Sequence, residues 1–450
     1  MRPAIDRLTV MALLAFGVIA AVLGYWTLVR APSILARDDN PRLIEQERRV
    51  ARGTIYDRQG NVLAESVQQP DGTYLRHYPH PQAAQAVGYY SLRYGASGAE
   101  ASYDAILRGT AQYSAWDRLL HRPQVGGDVH LTLDLNIQTA VAGAMADTAG
   151  AAIVIEADTG EVLALVSSPT FDPNTLDENW DNLVGDRAAP LLNRVTQGRY
   201  QPGAVLQTVV LAAALERDIP SAIDPEQAAA PYPLDLNGAT ITLTCGRAPS
   251  TPSATLVDAY VHACPAPFAA LGEALGEDVL SRVFADFGLF APPRLFTEAV
   301  PEPLPLPSGD PAAMSLGQGR LTVSPAQMVR VAAVVANGGY LPSLTLEAGV
   351  LGVGEWLHEM QHAVIAPGVA AELQSAMRQA MNAHDAADIA GHAGLALSGP
   401  EEGALSWFIG FAARASGAPL AVAVVLEDTA DISAAADIGR SALRAAQSRP

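Results

Sequence analysis

Lysine is missing altogether: the 28 residues counted as lysine plus arginine are all arginine. Arginine stays protonated in proteins and cannot serve as a general base, so every lysine-dependent mechanism is excluded. Positive charge is scarce as well, with a formal net charge of -19 at pH 7 and no basic patch to offset it. Nucleic acid and an anionic membrane surface both need a basic footprint, and neither is expected as a partner. Cysteine is limited to Cys245 and Cys264. An even count in a part expected to face an oxidising compartment favours one disulfide over two unrelated buried thiols.

One long run lacks charge. Leu8 to Val29 is uncharged and mainly apolar, flanked by Asp6, Arg7 and Arg30. Its length suits a bilayer span and exceeds the core of a signal peptide. It predicts a signal anchor within residues 1–30, with a short tail inside and the bulk of the chain exported; a cleaved signal peptide is the alternative. Basic residues on both sides leave the positive-inside rule without a firm direction.

What is present is enough for two or three domains, in 450 residues of which 49% are hydrophobic. After the anchor, a polar segment leads to Ile55-Tyr56, a Gln59-Gly60-Asn61 turn and Val62-Leu63, which read as a strand and hairpin. Asp57 and Arg58 are expected to form a local ion pair there. Loop-rich sequence follows, and residues 31–127 read as a small irregular domain.

From residue 128 the pattern changes. "DVHLTLDLNIQTA" predicts a strand and then a helix from about Asn136, and "AAIVIEADTGEVLALVSS" predicts a hairpin around Asp158-Thr159-Gly160. Helical periodicity covers Ala204 to Leu215, Leu271 to Phe287, Pro325 to Asn337 and Ala370 to Met381. Strands return in "LSWFIGFAA" and "LAVAVVLED", before a last helix over Ile432 to Gln447. Strands at both ends with helices between them imply one antiparallel sheet closed by the two ends, an α+β architecture over residues 128–450. "VPEPLPLPSGDP" is a proline-rich loop.

Several segments, in order, carry a resemblance. "RGTIYDRQGNVLAES", "VGYYSLRYGASGAEASYDAILRG", "DTGEVLALVSSPTFDPN", "LLNRVTQGRYQPG", "SLGQGRLTVSPAQMVRVAAVVANGG" and "SWFIGFA" resemble a class B penicillin-binding protein. That family comprises membrane-anchored transpeptidases that cross-link peptidoglycan. The resemblance implies a dimerisation-like pedestal over residues 31–127, a penicillin-recognising transpeptidase-like domain over 128–450, and a single-pass position in a bacterial cell membrane with most of the chain outside. It implies cell-envelope partners, including a polytopic glycan polymerase of the shape, elongation, division and sporulation class, and peptidoglycan stem peptides. No cofactor is implied.

Family chemistry rests on S-x-x-K, S-x-N and K-T-G. The serine opens a buried helix, where backbone N–H groups meet the developing oxyanion, and the lysine deprotonates it. By the resemblance the first motif is here Ala204-Val205-Leu206-Gln207, the second Ala263-Cys264-Pro265 and the third His392-Ala393-Gly394. Both serines, both lysines, the asparagine and the threonine are replaced; the strand glycine remains. A transpeptidase fold without a working transpeptidase centre is the expectation.

Two other chemistries compete. Cys264, with His262 nearby in sequence and His392 placed across a cleft, is a candidate thiol nucleophile that a disulfide to Cys245 would abolish. His358-Glu359-Met360-Gln361-His362 fits H-E-x-x-H, which on a helix binds zinc through His358 and His362 with Glu359 as base. A third ligand would have to be Glu355 or Glu372, neither at a familiar spacing, and a solvated turn is the preferred reading.

Overall fold

The computed structural model describes residues 2–30, 45, 47–111, 120, 124–236, 239–249, 254–292, 294–296, 309–318, 320–348, 362–382, 389–397 and 403–448. The chain opens with α1, Arg2–Gly24, continued by a π-helical turn, Tyr25–Arg30. Its described large side chains, among them Leu14, Phe16 and Ile19, are exposed. Among the described residues, no helix is long and apolar enough to cross a membrane.

The small domain is built on strands β1, Ile55–Tyr56, β2, Val62–Gln68, and β3, Tyr74–His77. They join β4, Val129–His130, in the order β3-β2-β1-β4, with β1 and β4 parallel. Asp57 holds the β1–β2 turn differently from the expected ion pair. Its carboxylate accepts from the backbone N–H groups of Gln59, Asn61 and Leu135, and from the Asn61 side chain. Arg58 instead reaches Glu156 at 3.2 Å and Glu161 at 3.5 Å. A buried carboxylate facing several N–H groups is already satisfied, which releases the arginine to tie the small domain to the main sheet.

Beneath that sheet lies a buried charge cluster. The Glu100 carboxylate takes Arg52 at 2.9 Å and Arg76 at 2.6 Å, while Arg52 also reaches Asp104 at 2.7 Å. The Arg52 guanidinium sits 3.9 Å from the ring centre of Tyr90. Planar forked donors suit this arrangement, and a lysine would not reproduce it.

The larger domain starts with α2, Leu135–Ala144, capped by the Asp134 side chain on the Asn136 and Ile137 N–H groups. Strands β5, Gly150–Glu156, and β6, Val162–Ser168, follow as the predicted hairpin. The chain then leaves the sheet for a helical region: α3, Gln207–Leu215; α4, Leu256–Val261; α5, Pro265–Leu275; and α6, Glu277–Asp286. One helix was expected over Leu271 to Phe287. Gly276, at φ 76°, ends α5 and splits it, because a left-handed residue cannot continue a right-handed helix.

After α7, Pro325–Ala336, and α8, Pro367–Asn382, the chain returns as β7, Ala390–Leu397, β8, Ala404–Ala413, β9, Pro419–Leu426, and α9, Ile432–Gln447. The sheet order is β7-β8-β9-β5-β6, every neighbouring pair antiparallel. Thus β9 from the end pairs with β5 from the beginning, the closure the sequence predicts. Strand β5 is buried on both faces. Ala151, Ile153 and Ile155 join the core containing α3 and α7, while Ala152 and Val154 join the core under α2 and α9. Period-two alternation therefore assigns residues to two cores rather than to core and solvent.

Candidate active site

The turn that precedes α3 is 3-10, Gly203–Leu206, so the first expected motif straddles a helix start: Ala204 lies in the tight turn and Gln207 opens α3. Residues Gln207 through Ala214 are all buried. A helix this apolar has no face to give to water, and each Val or Leu in it contributes about 1.5–3 kcal/mol through burial. Ala204 itself is partly exposed.

Glycines fit this turn to its neighbours. Gly203, at φ 55°, presses on the Leu395 carbonyl of β7, and its N–H donates to the Gly317 carbonyl at 2.9 Å. A Cβ added to Gly394 would lie 2.7 Å from the Cβ of Ala204. The turn and the strand are therefore in direct backbone contact, a spacing that only glycine permits at position 394.

The third expected position, His392, is on β7 and almost completely buried, at 1% exposure. Its imidazole stacks on Tyr260 of α4, centroids 4.0 Å apart and planes at 15°. The Tyr260 hydroxyl shares a hydrogen bond of 2.9 Å with Thr208 Oγ1, one residue after Gln207. Burial pushes the Tyr260 phenol well above the usual tyrosine range, a shift that the Thr208 hydrogen bond opposes. It stays neutral near pH 7. Ala393 belongs to the opposite core, with α9, as its neighbouring place in the strand requires.

The second expected segment meets the first through Gln207, whose Nε2 donates to the Cys264 carbonyl at 3.4 Å. Gln207 Oε1 is buried with no hydrogen-bond partner. Ala263 holds a left-handed conformation, φ 51°, and Pro265 is the first residue of α5. Cys264 and Cys245 are joined by a disulfide. Its sulfur is thus not a free thiol, and His262 Nδ1 bonds the Asp258 carbonyl at 2.9 Å rather than serving a nucleophile. The three segments converge: α3 with its leading turn, the α4–α5 corner and β7.

Where the segments meet stand a methyl group, an amide and a buried imidazole. Position 204 offers a methyl group and position 207 a neutral amide, which cannot take a proton from a hydroxyl near pH 7. Tyr260 and Thr208 were not anticipated from the sequence. Tyr260 carries a signal in retrospect, being a large aromatic on α4 three residues before Ala263, which lies in the turn after that helix.

Of the zinc motif, His358, Glu359 and the candidate ligand Glu355 lie outside the described residues. His362 belongs to a two-residue strand, His362–Ala363, paired with Tyr340–Leu341, and is exposed. H-E-x-x-H binds through one face of a helix, whereas the last residue of the motif, His362, is here in a strand. Glu372 is exposed on α8. Among the described residues, no group of three or more His, Cys, Asp or Glu side chains could hold a metal ion.

Comparison with known proteins decides the family. The penicillin binding protein transpeptidase domain matches residues 150–444, and the penicillin binding protein A dimerisation domain matches residues 52–129. The chain belongs to the class B penicillin-binding protein family. A peptidoglycan D,D-transpeptidase PbpA of Mycobacterium tuberculosis is 33% identical, with 97% of each chain covered. Its counterpart from Mycolicibacterium smegmatis is also 33% identical, over 92% of this chain and 93% of the relative. Penicillin-binding protein A from M. tuberculosis, solved as an imipenem acyl-enzyme complex, superposes with a TM-score of 0.76 at 31% identity, covering 90% of this chain and 99% of that one. As a class B penicillin-binding protein, the chain has the mixed α+β transpeptidase fold behind an N-terminal dimerisation domain.

Proposed function

We propose that this chain is a membrane-anchored member of the peptidoglycan synthesis machinery that does not acylate and acts as a scaffold or regulator there. The envelope role follows from relatives named peptidoglycan D,D-transpeptidases and from similarity along nearly the whole length. The anchor is read from the uncharged run Leu8 to Val29 and from the exposed apolar side chains described on α1, although no described helix is long and apolar enough to cross a membrane. Residues 31–127 form the pedestal and residues 128–450 the transpeptidase-like domain.

One observation carries the inactivity. Where the three segments converge stand the Ala204 methyl, the Gln207 amide and a buried His392 ring stacked on Tyr260, in a chain without lysine. Loss of one triad-type nucleophile costs roughly a millionfold in rate, and here the base is lost with it. The retained pedestal gives such a protein a contact surface for a polytopic glycan polymerase. A stem-peptide sensor is a separable reading that needs heat of binding at millimolar peptide.

The test is intact-mass spectrometry of the purified full chain after prolonged incubation with penicillin G. The expected result is no adduct. An adduct mapped to any serine or to Cys264 overturns the proposal.

A further inference from the structure

A second concave site lies on the main sheet, upstream of the Gly394 contact. A cavity of about 390 Å³ opens where α7 ends, between α8 and the neighbouring ends of β7, β8 and β9. Its floor is apolar, for Ile389, Phe411 and Ala412 are buried and line it. Gln374, Arg378 and Ala413 stand at its more exposed rim.

Arg378 is the one ionised residue in that lining. A neutral group sets its direction. Gln374 Nε2 donates to the Val335 carbonyl in the last turn of α7 at 2.8 Å, and Gln374 Oε1 accepts from Arg378 Nη2 at 3.2 Å. The amide is thereby used at both ends and orients the guanidinium without neutralising it. A guanidinium has more N–H donors than this one bond uses, and no described carboxylate pairs with Arg378.

Charge and surface together select the ligand. A cation would be repelled by Arg378. A small, wholly polar anion would pair with the guanidinium but leave the surface of Ile389 and Phe411 to water, whereas a neutral apolar ligand would cover the charge without giving it a partner. A carboxylate on an apolar body answers both demands. Its two oxygens match the planar fork of the guanidinium, and its body covers the floor. The volume lies within the range of about 300–1,000 Å³ for small-molecule pockets, so such a molecule fits whole.

We propose that this cavity binds a monocarboxylate with an apolar body, held by Arg378.

The test is a fluorine NMR titration of 4-fluorophenylacetate with the full chain in detergent. A saturable shift is expected, with millimolar affinity. Arg378→Gln removes the charge at an exposed position and should weaken binding by at least about tenfold, the scale of one charge-assisted hydrogen bond. Ala413→Leu, also exposed, should weaken it comparably by filling the rim. Thermal melts show whether each variant folds, and either decides alone if the other does not. The neutral analogue 4-fluorophenylacetamide should bind at least about tenfold more weakly than the acid. No saturable shift with the wild-type chain at about 20 mM probe overturns the proposal, a result independent of penicillin reactivity. Binding undiminished in Arg378→Gln, or an amide that binds as well as the carboxylate, overturns it equally.

Discussion

The imidazole of His392 lies parallel to the phenol of Tyr260, 4.0 Å away, where the family's resemblance would put a strand lysine facing the cleft. The phenol is in turn joined to Thr208 on the helix that Gln207 opens. A chain of stacking and hydrogen bonding thus links β7, α4 and α3. The consequences of this packing are open to measurement.

Restoring the nucleophile alone should not restore reactivity. In Ala204→Ser the hydroxyl gains no base, since the Gln207 amide is neutral and arginine cannot substitute for lysine. Intact mass after an hour with penicillin G should match that of the unreacted variant. A stoichiometric adduct on Ala204→Ser would mean that another group in the centre accepts the proton.

The contact between turn and strand predicts a steric cost. Gly394→Ala brings a methyl group to 2.7 Å from the Ala204 Cβ, inside any real carbon–carbon contact. Overpacking of this kind costs about 1–3 kcal/mol. Gly60 has a positive φ but open space around its Cβ, so Gly60→Ala tests conformational strain without a clash. Urea unfolding should show the Gly394 variant losing stability, and a crystal structure should show β7 displaced from the turn. Unchanged stability in Gly394→Ala would disprove the close approach.

The buried carboxylate of Glu100 predicts a different cost. Glu100→Gln keeps the shape but leaves Arg52 and Arg76 without their shared counter-charge, and breaking a buried pair costs about 3–5 kcal/mol. Arg49→Ala removes an ion pair whose side chains are 66% and 54% exposed, and should change stability by less than about 1 kcal/mol. Denaturant midpoints of the two variants should differ accordingly. Equal midpoints would show that the Glu100 cluster is solvated in solution.

Alkaline pH should weaken the fold through its tyrosines. Burial is the leading cause of raised phenol pKa values at Tyr78, Tyr200 and Tyr260, and at Tyr103, where the value is pushed up to about 12. In the unfolded chain these groups titrate near their ordinary value of about 10. A folded pKa above the unfolded one means that stability is complete below about pH 10 and falls above it, because only the unfolded chain then releases the protons. For Tyr103 the loss is complete once pH passes about 12. The limiting slope is about 1.4 kcal/mol per pH unit for each such phenol. Stability that stays level from about pH 9 to 11 would contradict these burials.

The main sheet was legible because its signals are local and redundant. β5, β8 and β9 are long and apolar, α9 is long with one apolar stripe, and α9 starts at a cap, Asp431. Gly276 was overlooked because the apolar period of α5 continues into α6, and only the backbone angle reveals the break. The three expected motif positions do come together, yet what fills the space between them could not be read from motifs. Tyr260 and His392 are 132 residues apart in the chain by their numbers, and their stacking depends on how α4 docks against β7. Sequence adjacency predicts Arg58 as the partner of Asp57 but says nothing about the buried N–H groups that the carboxylate meets.

The disulfide gives the last prediction. Cys245 and Cys264 are 19 residues apart, and closing a loop of that size lowers the entropy of the unfolded chain, a contribution of about 3 kcal/mol in that model. Cys264 also precedes α5 and offers the carbonyl that Gln207 contacts, so the crosslink fixes the α4–α5 corner beside α3. The double variant Cys245→Ala with Cys264→Ala should therefore lose about that much stability while leaving the β-sheet signal in circular dichroism intact. Thiol alkylation of the native chain should label neither cysteine, and mass spectrometry after reduction should add two labels. Labelling without reductant would show that the thiols are unpaired, and would reopen the question of whether Cys264 can act as a nucleophile beside His262.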